Sequence, residues 1–395
     1  MTWLAGERLS GNCPERAGSS VFPWDNCPGE AAAATALKVR VVQQRIRYTH
    51  SKDGTALAWA SAGEGPPLVK AANWLTHLEH DLDSPAWAHW VRFFADHFHF
   101  VRYDERGCGL SAREVADLSF DRWVDDLEAV IEAAAIDEPM TLLGVSQGSA
   151  IVIAYAVRYP ERVAGLILYG GYAQGWNRRG DEHGARLYRS ITEIIELGWG
   201  MDNPVFRELF TKRFIPAGTE EHIQWFNTLC RKTASPEMAA RLFSARADVD
   251  VGALIGQVTV PVLVLHPVRD EVVPFAQGRL LASELSDAEF VELESCNHVV
   301  LKHEPAWARF KEAVLDFTGR TSIPRSGQRP NLNTLSRRER EILSLICAAK
   351  SNPQIAAELN LSERTVRNHA SNLFRKLGVR SRAEAILRLV GHERH

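Results

Sequence analysis

The sequence predicts an α/β domain built on a mostly parallel sheet, followed by a small all-α domain of four helices. Three observations predict it. Strand-like apolar runs alternate with helical ones from about Val39 to about residue 320, the pattern of a parallel sheet covered by helices on both faces. One strand, starting at Met140, runs directly into Gly144-Val145-Ser146-Gln147-Gly148 and then a helix-forming stretch, Ala150 to Arg158. A polar stretch rich in Gly, Pro and Ser, Gly319 to Asn331, then precedes four short segments with helix start signals.

The chain has 395 residues, enough for about two domains. No uninterrupted apolar run approaches the ~20 residues needed to span a bilayer, so no membrane partner is expected. The cysteines Cys13, Cys27, Cys108, Cys230, Cys296 and Cys347 stand at neither zinc nor redox spacing. Free thiols in a reducing cytoplasm are therefore the expectation. The start contains Glu7 and no basic-then-apolar leader pattern, so secretion is not expected. The net charge of −3 hides an asymmetry: residues 331–395 carry 12 Lys and Arg against 6 Asp and Glu, the remainder 34 against 43. A basic tail on an acidic body is the split expected when only the tail meets nucleic acid.

In order, residues 1–38 mix Gly, Pro, Ser and Ala with no sustained period, which predicts a disordered extension. Val39–Tyr48 and Ala56–Ala62, split by Asp53-Gly54, read as a β-hairpin. Pro67–Asn73 and Phe98–Asp104 are further strand candidates. A capped amphipathic helix is expected from about Phe120 to Ala135, with Trp123, Leu127, Val130, Ile131 and Ala134 on one face. The elbow strand and its helix follow, then strands at Val163–Tyr169, Val260–His266 and Ala288–Leu293. The body is expected to span 39–320, with a linker at 321–332 and the tail domain at 333–395.

The pentapeptide around Ser146 fits a nucleophile elbow, a strained strand-to-helix turn that lifts one serine hydroxyl above a sheet. Gly144 and Gly148 are expected where strand and helix backbones pass too close for a Cβ, with Ser146 held at positive φ. The Gln147 N–H, at the helix N-terminus, is the first candidate oxyanion donor. Asp270 follows the strand ending at His266, where open α/β sheets build their sites; Glu271 beside it is the less favoured alternative. His298 follows the last strand. Ser146, Asp270, His298 is the order of one hydrolase lineage: His298 would take the Ser146 proton, and Asp270 would fix its tautomer and stabilise the imidazolium. Singly, Asp270 also reads as a turn aspartate and His298 as a packed loop histidine.

These stations resemble the α/β-hydrolase fold superfamily over roughly residues 40 to 320. Asp104-Glu-Arg-Gly-Cys-Gly-Leu-Ser111 is similar to the family's D-x-R-G-x-G-x-S loop, which implies a turn that braces the site. The usual His-Gly after the third strand is replaced by Ala72-Asn73-Trp74-Leu75, so by position the second oxyanion donor would be the Trp74 backbone N–H. Lys70 is unusual within a buried strand. His77 and His80 have helical i, i+3 spacing beside acids, yet no third ligand is evident. A solvated acidic helix start is the preferred reading there, with no metal and no cofactor expected. The resemblance implies that residues 171–257, rich in aromatics such as Trp176, Trp199, Phe214, Trp225 and Phe226, form a helical cap over the site. Its apolar inner face leans toward an apolar ligand, although each aromatic alone reads as core.

In the tail, Ser336 with Glu339 and Ser381 with Glu384 fit capping boxes. Asn352-Pro353 fits an N-cap with proline at N1, Ser362 an N-cap of the third helix, and Gly378 its stop. Val366, Ala370, Leu373 and Leu377 fall on one face of that third helix, leaving a polar and basic face outside. A helix-turn-helix whose second helix enters the major groove has this form; an amphipathic protein-docking bundle is the alternative. Residues 335 to 390 resemble a LuxR-type DNA-binding domain, through Leu335 to Leu343, Ser351 to Leu359, Ser362 to His369 and Lys376-Leu-Gly-Val379. The resemblance implies that Arg367, Asn368 and Ser371 face bases and that Thr365, His369 and Lys376 contact phosphate of double-stranded DNA. A homodimer is expected because one short reading helix gives limited affinity and half-sites about one helical turn apart suit a two-fold pair; the resemblance implies Ala385, Ile386 and Leu389 of the fourth helix as the contact.

Together these readings describe a transcription regulator whose α/β-hydrolase-type domain senses a small, apolar, ester-like molecule, its hydrolysis left open. An esterase-like enzyme whose tail only localises it, and a receptor that binds with the triad without turnover, are the alternatives.

Overall fold

The computed structural model describes residues 42–199, 201, 204–321, 335–348, 350–363, 365, 366, 369, 370 and 373. The expected N-terminal extension, the linker, the Ser381 capping box, Gly378, Leu377 and the fourth helix lie outside these residues.

An eight-stranded sheet has the order β1-β2-β4-β3-β5-β6-β7-β8. The hairpin is β1 (Arg45–His50) with β2 (Ala56–Ala62), antiparallel, and β2 also pairs antiparallel with β4 (His99–Tyr103). All remaining pairings are parallel: β3 (Pro67–Lys70), β5 (Met140–Val145), β6 (Val163–Tyr169), β7 (Val262–Pro267) and β8 (Ala288–Leu293). The first strand begins later than the apolar run from Val39 predicts, and β3 stops at Lys70, where the chain turns away to form the loop beside the site.

Alternation along each strand sorts the core. Leu142, Leu166 and Val262 face one side, with Trp123, Leu127, Val130 and Ile131 of α2 (Phe120–Ala133) and the apolar helix α3 (Gly148–Arg158). Their neighbours Leu143, Ile167 and Leu263 face the other, against Trp90 and Phe94 of α1 (Ala88–His97) and Phe310 and Phe317 of α10 (Pro305–Thr321). The predicted face of α2 is thus the buried one, while Ser119 at its N-cap makes no side-chain capping bond.

Between β6 and β7 lie α4 (Glu182–Gly198), α5 (Pro204–Phe214), α6 (Glu220–Thr233), α7 (Pro236–Ala245) and α8 (Gly252–Ile255); α9 (Phe275–Glu284) follows β7. Trp176, Ile195, Trp199, Trp225 and Phe243 form a core with Trp74 and Leu75 of the loop after β3. The insertion therefore packs on the loop that carries Trp74.

The D-x-R-G-x-G-x-S loop braces as expected. Arg106 is fully buried and donates to both Asp126 oxygens, at 2.7 and 2.6 Å, to Asp53 at 2.7 Å and to the Asp117 carbonyl at 3.0 Å. Arg106→Met would strand two carboxylates without their counter-ion. We expect urea denaturation to show a loss of about 3–5 kcal/mol, the usual cost of breaking a buried pair from one side. A loss below 1 kcal/mol would remove this loop from the list of structural anchors.

In the C-terminal region, α11 (Arg337–Cys347) opens on the predicted capping box, with Ser336 N donating to Glu339 Oε2 at 2.7 Å. For α12 (Asn352–Glu358) the N-cap is Ser351, not Asn352. Ser351 makes a capping box with Gln354, which places Pro353 in the first turn where its missing N–H costs nothing. Thr365 N donates to Ser362 Oγ at 3.1 Å, and Val366, Ala370 and Leu373 are buried with Ile342, Ile346 and Ile355. The predicted inner face of the third helical segment is thus the packed one.

Candidate functional site

The elbow has the predicted strain. Ser146 has φ 54°, a conformation that costs an L-residue free energy and persists only when its surroundings hold it. Its N–H donates to the Tyr169 carbonyl of β6 at 2.9 Å. A Cβ on Gly144 would lie 2.5 Å from Ser149 Cα, so that glycine is obligatory for the close approach. Gly148 is less constrained than expected, with 3.3 Å to the Ala72 carbonyl oxygen.

Asp270 and His298 are brought together from the loops after β7 and β8. His298 Nδ1 donates to Asp270 Oδ2 at 2.6 Å, and Asp270 Oδ1 accepts the N–H groups of Val272 at 2.8 Å and Val273 at 3.0 Å. The carboxylate is held on three sides and orients the imidazole through Nδ1; among the described residues His298 Nε2 makes no hydrogen bond. Glu271 beside it is exposed, so its chemistry is directed to solvent. Ser146 and His298 line one cavity of about 40 Å³, with Trp74, Gln147, Phe214, Trp225 and Phe226 among its walls. Among the described residues no hydrogen bond links the Ser146 hydroxyl to the imidazole; such bonds commonly form only with ligand in place.

Gln147 and Trp74 both reach this cavity. The Gln147 side-chain amide faces two donors, Trp74 N at 2.7 Å and Arg246 Nη2 at 3.1 Å, so its carbonyl oxygen is the atom that meets them. Arg246, at the end of α7, is itself gripped by Glu105 at 2.5 and 2.6 Å. The Trp74 N–H, expected as an oxyanion donor, thus donates to a side chain of the protein in this form. An incoming oxygen would have to displace it.

Sequence reading missed three supports. His266, at the end of β7, is buried, with Nε2 3.0 Å from the Val273 carbonyl and 3.7 Å from Asp270 Oδ2. Burial lowers its pKa, so it stands as a neutral ring that donates to the carbonyl and shapes the Asp270 turn. Asn297 accepts from Ala217 N at 3.0 Å and donates to Glu304 at 2.9 Å, while His298 N donates to the Phe214 carbonyl at 2.8 Å. Together these tie the histidine loop to the end of α5. Only the adjacency of Asn297 to His298 hinted at this.

The His77 segment is not a solvated helix start. His77 and Asp81 are buried, Asp81 pairs with Arg102 at 3.0 Å, and His80 stacks on Trp225. Burial wins because the insertion covers this loop. Among the described residues, no group of three or more His, Cys, Asp or Glu could hold a metal ion, and no helix is long and apolar enough to cross a membrane. Of the residues expected at DNA, Thr365 and His369 are half-buried on the third helical segment; Arg367, Asn368, Ser371 and Lys376 lie outside the described residues.

Comparison with known proteins gives two matching family models: "Serine aminopeptidase, S33" over residues 87–306 and "Bacterial regulatory proteins, luxR family" over residues 333–389. The AB hydrolase superfamily protein YisY of Bacillus subtilis is 30% identical over 261 residues, covering 64% of this chain and 91% of the relative. The spore germination protein GerE of the same organism is 48% identical over 56 residues, 14% of this chain and 76% of the relative. A probable HTH-type transcriptional regulator of Streptomyces halstedii, GfsR, is 41% identical over 105 residues, 27% of this chain and 41% of the relative. Among solved structures, a bromoperoxidase from Bacillus anthracis shares the fold, with a TM-score of 0.58 and 20% identity over 69% of this chain and 99% of that one.

Proposed function

The chain belongs to the α/β-hydrolase superfamily and carries a C-terminal LuxR-family DNA-binding domain, and from that premise we propose a transcription regulator whose hydrolase domain senses, and hydrolyses, a small ester-like ligand. One observation carries the hydrolytic part: His298, bonded to Asp270 at 2.6 Å, lines the same cavity as the strained Ser146. In this reading His298 accepts the Ser146 proton as Oγ attacks the carbonyl, and the Gln147 and Trp74 N–H groups receive the developing oxyanion. His298 then protonates the leaving alcohol, and water releases the acyl group by the reverse route.

The cavity supports an apolar ligand, since Trp225, Phe226, Phe214 and Leu229 line it. At about 40 Å³ it has room for about three waters, less than an ester needs, so an ester must displace these aromatics from α5 and α6. Such displacement is a physical route from ligand to the rest of the chain. The engagement of the Trp74 N–H by Gln147 favours a second reading, a receptor that acylates slowly and signals in the bound or acylated state.

At DNA, Arg367, Asn368 and Ser371 are proposed to face bases, and Thr365, His369 and Lys376 to contact phosphate, in a homodimer spanning two half-sites. The test is operator affinity of the full chain, measured with and without a candidate ester, in wild type and Ser146→Ala. Ligand response lost in the variant makes hydrolysis the signal; a response fully kept makes binding the signal. Steady ester turnover with no change in DNA binding for any ester would remove the sensor proposal.

A further inference from the structure

Lys70 ends β3 immediately before the loop that presents Trp74, and nothing in the catalytic scheme above uses it. The side chain is half-buried and lines a cavity of about 20 Å³ together with Asn73, Thr76, Asp81, Trp87 and Arg102. Lys70 Nζ donates to Asn73 Oδ1 and to the Ala71 carbonyl at 3.4 Å, and lies 5.8 Å from the centre of the Trp87 ring. Asn73 Nδ2 in turn donates to the Trp74 carbonyl at 3.3 Å.

Around it, Asp81 is committed to Arg102 at 3.0 Å, Glu105 to Arg246, and Asp104 Oδ2 to the N–H groups of Leu110 at 2.8 Å and Leu78 at 3.2 Å. Among the described residues, no carboxylate comes within ion-pair distance of Lys70. A half-buried ammonium without an ion-pair partner at bonding distance costs free energy. A buried hydrophobe would fill the end of β3 without that cost, so the charge calls for a role.

We infer that Lys70 is a positioning residue for the oxyanion site: through Asn73 it holds the turn that aims the Trp74 N–H, and it sets a positive charge at the root of that turn. This rests on the hydrolytic reading of Ser146. As charge develops on the substrate oxygen, a preorganised cation at the root of the donor's turn favours the transition state over the ground state, which affects kcat more than KM. Burial lowers the Lys70 pKa to about 8, with Asp81, Asp104 and Glu105 opposing that shift and Arg102 adding to it. The ammonium is therefore present below that pH and lost as pH rises through it. Burial also raises Asp104, to about 7, and pushes Asp81 and Glu105 upward.

The experiment compares wild type, Lys70→Met and Lys70→Arg as full chains. Hydrolysis of p-nitrophenyl acetate is followed between pH 6 and 9.5, with fluorophosphonate labelling of Ser146 and thermal melting measured in parallel. Lys70→Met is expected to keep the fold and lower kcat by about 10²-fold, with KM within about twofold, the low end for a disabled oxyanion donor. Wild-type kcat should fall on an alkaline limb near pH 8. Lys70→Arg should recover most of the loss and lack that limb, since guanidinium stays charged.

The inference is overturned if Lys70→Met retains kcat within about threefold of wild type. It is also overturned if Lys70→Arg is as impaired as Lys70→Met, or if the wild-type profile is flat through pH 8. If wild type neither turns over ester nor labels at Ser146, the hydrolytic reading itself fails and this inference falls with it. Labelling of wild type but not of Ser146→Ala keeps the two failures distinct.

Discussion

Ser146→Ala in the full chain is expected to reduce p-nitrophenyl ester turnover by about 10⁴- to 10⁶-fold, because removing the nucleophile leaves only binding and the oxyanion donors. Asp270→Asn should cost about 10⁴-fold while leaving the geometry intact, since an amide in place of the carboxylate holds His298 in the wrong tautomer. The physical reason is visible in the pair: one oxygen of Asp270 is occupied by two backbone N–H groups and the other takes only the His298 proton. Steady-state kinetics, together with stoichiometric labelling of Ser146, checks both. A Ser146→Ala protein that turns ester over at the wild-type rate would place the chemistry elsewhere. A burst equal to the enzyme concentration followed by little turnover would favour the receptor reading, in which the Gln147 amide continues to compete for the Trp74 N–H.

The second large effect concerns DNA. Operator binding by the full chain should weaken by about 10³- to 10⁵-fold between 50 and 200 mM salt if a dimer neutralises some 6 to 10 phosphates, as counterions are released on association. The charge asymmetry supports this: residues 331–395 carry 12 basic against 6 acidic residues, and the acidic body should add little. Arg367→Ala is expected to cost about 1–3 kcal/mol on the cognate site and to relax base preference there, if its guanidinium makes a bidentate base contact. Fluorescence anisotropy at several salt concentrations, on cognate and scrambled duplexes, measures both slopes. A salt-insensitive affinity would contradict phosphate-dominated binding, and an Arg367→Ala loss equal on both duplexes would reassign that residue from bases to backbone.

Much of this molecule is local in sequence. Ser146 sits between glycines because a strand and a helix must meet within a few residues, and those residues are neighbours in the chain. The buried stripe of α2, the alternating strands and the Ser336 box likewise follow from periods of 2 and 3.6 and from contacts three or four residues apart. Asp270 and His298 were identifiable because consecutive parallel strands end on the same side of a sheet. Sequence expectation and structure parted at Ser351 and Asn352, near-equal local options for one N-cap, and at the His77 segment, which the insertion covers. Only the tertiary structure decided what surrounds these groups. The Glu105–Arg246 pair spans 141 residues, the Arg106–Asp53 contact 53, and the Asn297–Ala217 bond 80. No period or cap announces such partners, because they meet only after the sheet has ordered its strands and the insertion has folded over it. For the same reason Lys70, an oddity in an apolar strand when read alone, acquires a meaning only when the fold puts Asn73 and the Trp74 turn beside it with, among the described residues, no carboxylate at ion-pair distance.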